Sequence, residues 1–114
     1  MRHFITICLL IFSVQTAQAA GLCPIREGNY WYPRLKAMPI TDKAQHCILS
    51  CQLALRCSTF SSWSLGRLKE LYDVFGDGNA EWADLRADDD GIDLAITGKA
   101  KDIRGCFRGC RKIY

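Results

Sequence analysis

Thr41-Asp42-Lys43-Ala44-Gln45-His46-Cys47-Ile48-Leu49-Ser50-Cys51-Gln52-Leu53-Ala54-Leu55-Arg56-Cys57 combines a helical apolar period with two cysteines four residues apart. Ala44, Ile48, Cys51 and Leu55 recur at helical spacing, and Thr41-Asp42 offers an N-cap, so a helix is expected over roughly 42–57. Cys47 and Cys51 are four residues apart and therefore share one face of that helix, one turn from each other. The same spacing returns in Cys106 and Cys110, inside an expected last helix over 101–112. Two such helices packed antiparallel can be joined by two rungs, Cys47 to Cys110 and Cys51 to Cys106, which leaves Cys23 to bond Cys57. Six cysteines allow fifteen connectivities, and spacing alone does not choose among them.

The disulfide interpretation depends on the compartment. Met1-Arg2-His3 gives a positively charged start, Phe4 to Val14 is an apolar run too short for a membrane span, and Ala17 and Ala19 occupy small-residue positions. These are the parts of a cleavable export signal, expected over 1–19 with the cut after Ala19. Cys8 leaves with the signal, so the seven cysteines become six, an even set in an exported chain. Zinc coordination is the competing use, but the gaps are three residues rather than two, and His46 is the only histidine in the mature portion. Removing residues 1–19 from the 114 leaves 95, a single domain for which apolar burial alone gives marginal stability. Fourteen basic against twelve acidic residues then remain, which singles out no polyanionic partner, and no nucleic acid is expected. No later segment is apolar enough to span a membrane.

The expected fold class is all-α: a small disulfide-stabilised bundle of three or four helices over 41–114, with a looped N-terminal extension over 20–40. Pro24, Gly28, Pro33 and Pro39 suggest the loop, and Tyr30-Trp31-Tyr32 is expected to cover the core. A second helix is read from about 60 to 75, ended by Gly76-Asp77-Gly78-Asn79. The third segment resumes at 80–87 and again at 92–96, and periodicity does not decide between one helix and two. Arg104, Arg108, Arg111 and Lys112 form a basic face on the last helix, read as solvated.

Asp42, His46 and Ser50 lie on one face at spacing four, with Gln45 beside them. Lys69, Glu70 and Asp73 follow Gly66, and Asp84 and Asp88 are again one turn apart. The order Asp42-Lys43-x-x-His46-x3-Ser50, Gly66-x-x-Lys69-Glu70-x-x-Asp73, Asp84-Leu85-x-Ala87-Asp88-x-x-Gly91-Ile92 resembles small bacterial envelope proteins of the YfiM and VanZ-like group. It covers 42–96, about half of the chain. The resemblance implies a helical envelope protein; the six cysteines and the lack of apolar spans depart from that group.

His46, Glu70, Asp84 and Asp88 are the candidate catalytic residues, since a histidine and carboxylates converging in a bundle can bind a divalent metal or exchange protons. The competing interpretation is structural: the same charges pair with Arg67, Lys69 or Arg86 and fix helix register. Neither metal nor cofactor is specified by the sequence. Asp77-x-Asn79-x-Glu81 begins like a calcium loop, but Trp82 stands where glycine is required. Ser62-Trp63-Ser64-Leu65-Gly66 lacks the first glycine of a nucleophile elbow. Three functions follow: an exported bacterial cell-envelope protein, periplasmic or secreted, that binds an envelope protein or a cell-wall or lipid component; a hydrolase or transferase acting on an envelope polymer or lipid; or a small secreted effector or toxin.

Overall fold

The computed structural model describes residues 22–64, 66, 67 and 82–114. The expected signal over 1–19, the later part of the second helix, the turn at 76–79, Lys69 and Glu70 lie outside the described residues. Among those described, the fold is all-α and disulfide-stabilised, with five helical segments. They are α1 (22–36), α2 (Asp42–Arg56), α3 (59–64, with 66 and 67), α4 (Trp82–Ile96) and α5 (Ile103–Ile113).

α2 is the central element. Thr41 caps it as expected, its hydroxyl accepting the Ala44 N–H at 3.1 Å, and Asp42 sits favourably in the positive first turn. Its Cys47 and Cys51 stripe faces α5, where Cys47 bonds Cys110 and Cys51 bonds Cys106. The crossed numbering makes the two helices antiparallel, and all four half-cystines are fully buried. Cys23 bonds Cys57, tying α1 to the C-terminal end of α2. The connectivity is the one that two antiparallel helices permit. Each such bridge typically contributes about 2–4 kcal/mol by constraining the unfolded chain. Ile48, Ala87, Leu94, Ala100 and Leu35 fill the core around the sulfurs.

α4 runs parallel to α2. It is one uninterrupted helix, because Asp88, Asp89 and Asp90 fall inside it and Gly91 is accommodated at its contact with α2. A Cβ built on Gly91 would stand 2.1 Å from the Cys47 carbonyl oxygen and 2.9 Å from the Cys51 nitrogen, so only glycine allows the two backbones to approach this closely. Gly98, with φ of 73°, turns the chain out of α4, and Asp102 caps α5 through the Gly105 N–H at 2.8 Å. Tyr114 closes the structure by donating its hydroxyl to Asp90 Oδ2 at 2.6 Å. Burial, followed by that hydrogen bond, pushes the phenol up to about 12.

Two expectations need correction. The segment read as a loop is helix over 22–36: Pro24 lies in the first turn, where its missing N–H forfeits no helical bond, and Pro33 lies in the last. Burial of Leu35 and the Cys23 bridge hold α1 where composition argues against it. Of the aromatic cluster, only Trp31 packs against the core; Tyr30 and Tyr32 are exposed.

Candidate functional site

Two turns of α2 and one turn of α4 lie side by side, and spacing four on each brings their polar stripes into register. Asp42, His46 and Ser50 on α2 meet Asp84 and Asp88 on α4. Both α4 carboxylates are almost wholly buried, at 4% and 3% exposure. His46 Nδ1 lies 3.2 Å from Asp88 Oδ1, and its Nε2 lies 3.4 Å from Asp84 Oδ2 and 3.7 Å from Asp42 Oδ2. The Ser50 hydroxyl donates to the same Asp88 oxygen at 2.9 Å. Ser62 on α3 donates to the Ser50 carbonyl at 2.8 Å and fixes the neighbouring wall.

Charge is balanced within the group. Lys43 Nζ contacts Asp84 Oδ1 and lies 3.8 Å from Asp42, while Lys36 from the end of α1 lies 3.2 Å from Asp42. Burial is the largest influence on His46 and lowers its pKa, but the Asp88 hydrogen bond and the charges of Asp88, Asp84 and Asp42 outweigh it. The net shift is upward. Asp42 is pushed up by burial and down, by more, through the Lys36 hydrogen bond and the charges of His46, Lys36 and Lys43. With His46 protonated, three carboxylates face three cations, and both imidazole N–H groups point at carboxylates.

His46, Asp84 and Asp88 of the expected site are therefore together; Glu70 falls outside the described residues. Of the expected counter-charges, Arg67 pairs with Asp89 on the outer side of α4 at 3.1 Å and Lys69 lies outside the described residues; Lys43 serves the buried Asp84, and Lys36 the exposed Asp42. Lys43 was within the motif of the resemblance, and its place beside Asp42 was the available signal. One ligating atom each from Asp42, His46 and Asp84 can come within 4.8 Å of the others. A divalent cation there would have to displace the Lys43 ammonium from Asp84, so these residues form a better ion-pair network than metal cage.

The network forms the floor of a cleft of about 1030 Å³. Ile25, Gly28, Tyr32 and Pro33 of α1 form one wall, and Leu49 and Leu53 of α2 the opposite one. A concave, mostly apolar space with a few convergent polar groups is the usual form of a small-ligand site. No helix among the described residues is long and apolar enough to cross a membrane. The three disulfides point to an oxidising environment. The chain matches no protein-family model, no curated protein and no solved structure.

Proposed function

We propose that this chain is an exported bacterial cell-envelope protein, carried to the periplasm or the exterior by the signal over 1–19, and that it acts by holding another envelope component in the cleft beside α1. The observation that carries the proposal is the cleft itself: apolar walls large enough for a lipid or acylated fragment, above a floor whose charges are already neutralised. The disulfides support the compartment, and the resemblance of 42–96 to the YfiM and VanZ-like group agrees with an envelope role.

A hydrolase or transferase using His46 would first have to free Nε2 from Asp84, the longer of its two α4 carboxylate contacts, before a proton could pass to a substrate. Binding requires no such rearrangement. Gly28 gives the test, because a Cβ there meets nothing within 4 Å and points to open space on the cleft wall. Gly28→Phe is expected to keep the fold, since it replaces a poor helix former, and to fill the cleft. The wild-type mature protein should bind N-phenyl-1-naphthylamine with a rise in fluorescence, and Gly28→Phe should weaken that binding about tenfold or more. Equal binding by both proteins would rule out the cleft. Fractionation of cells producing the full chain should place the mature form outside the cytoplasm.

A further inference from the structure

α1 separates the cleft from a smaller groove of about 600 Å³ on its other side. Of the two hollows, and among the described residues, only the cleft is lined by a side chain with a buried polar atom that lacks a hydrogen-bond partner, Gln45 Oε1. The nitrogen of the same carboxamide donates to the Ile40 carbonyl at 3.3 Å, so the oxygen is the end left over. A buried acceptor without a donor costs stability. The terminal torsion of a glutamine is soft enough to turn that oxygen towards a donor entering the cleft. Asp88 offers a second acceptor. Its Oδ1 takes the Ser50 hydroxyl and faces His46, whereas Oδ2 accepts nothing from any described residue. A Cβ at Gly66 would stand 2.6 Å from Oδ2, so glycine on α3 leaves that oxygen uncovered, and both residues line the cleft.

Donors are distributed the opposite way. The Ser50 and Ser62 hydroxyls are committed to Asp88 and to the Ser50 carbonyl, and both ring nitrogens of His46 face carboxylates. Asn29, Tyr32 and Lys36 keep donors to spare, but all three are exposed. The enclosed floor therefore accepts and does not donate. With His46 protonated its charges are matched, so neither an anion nor a further cation finds a counter-charge there. Resting on the reading of the cleft as a ligand site, we propose that its occupant is an acyl chain with an uncharged, hydroxyl-bearing head. The head donates to Gln45 Oε1 and Asp88 Oδ2, and the chain lies between α1 and the Leu49 and Leu53 side. A fatty-acid anion brings no donor and meets Asp84 and Asp88; a simple ester of the same chain brings no donor either.

The test is displacement of N-phenyl-1-naphthylamine from the mature, oxidised protein by monodecanoylglycerol, methyl decanoate, decanoate and decylamine, which share one chain length. Monodecanoylglycerol should displace the dye at about a tenth of the concentration that the other three require, although the methyl ester is more apolar. Gln45→Leu removes one acceptor and should narrow that preference over methyl decanoate to about threefold or less. Gly66→Ala covers Asp88 Oδ2, leaves Gln45 in place and should narrow it similarly, which keeps the assignment testable if the Gln45 variant fails to fold. Displacement by methyl decanoate at the same concentration as monodecanoylglycerol overturns the proposal. So does tighter binding of decanoate or decylamine, or a preference unchanged in either variant that folds. Each of these results would leave the cleft standing as a ligand site, whereas a wild-type protein that binds no dye at all would remove the cleft and this proposal together.

Discussion

The carboxylates around His46 favour its charged form, and that preference links stability to pH. Its folded pKa lies above the ordinary value of 6.5, so folding favours the protonated ring. The resulting stabilisation is complete below about pH 6.5 and is lost as pH rises through the folded value. Tm of the mature protein should therefore fall from pH 6 towards pH 9, and His46→Gln should flatten that slope; a wild-type profile that stays flat would show that the three carboxylates do not hold the proton. Asp88→Asn keeps shape but removes the charge that receives His46 and Ser50. A loss of about 2 kcal/mol is expected in urea unfolding, the typical value of hydrogen bonds to a charged group. At this scale the sequence was informative about the anions and the histidine, because spacing four fixes a shared face. For Lys43 it offered only the place beside Asp42, and about Lys36 it was silent: long flexible side chains reach partners that no period identifies, and Lys36 comes from a segment whose helical state was not apparent.

Between elements, the close contact of α2 and α4 depends on one residue. Gly91→Ala would press a methyl group against the Cys47 carbonyl and the Cys51 nitrogen, both main-chain atoms fixed by flanking disulfides, so the helices must separate. Overpacking of this kind is expected to cost about 3 kcal/mol, measurable by thermal unfolding, and to disturb the His46 contacts one turn away. The same pair explains what could be read in advance. α2 and α5 were visible because an i, i+4 cysteine pair reports a helix face and a partner together, and Thr41 marked the α2 start. Continuity of α4 was not visible, since three aspartates and a glycine resemble a break until α2 and Tyr114 are present to receive Asp88, Gly91 and Asp90. α1 was misread for a related reason: its prolines fall in the first and last turns, where they cost least, and its stability comes from Leu35 and a covalent bond rather than from propensity.

For the molecule as a whole, the three bridges differ in access. Cys47, Cys51, Cys106 and Cys110 are sealed in the core, whereas Cys23 and Cys57 are only partly covered. Thiol exchange requires a nucleophile to reach sulfur. Graded reduction of the native protein followed by alkylation and mass spectrometry should label Cys23 and Cys57 first, with the α2 to α5 rungs surviving until global unfolding. α1 forms a wall of both hollows, and apart from the Cys23 bridge it is fastened by buried Leu35 near the opposite end, by Trp31 against the core and by the Glu27–Arg56 pair. Once the accessible sulfur pair is parted, that helix becomes a flap hinged at its C-terminal root, and the two compartments it divides would empty together while the double-stapled kernel behind them remains intact.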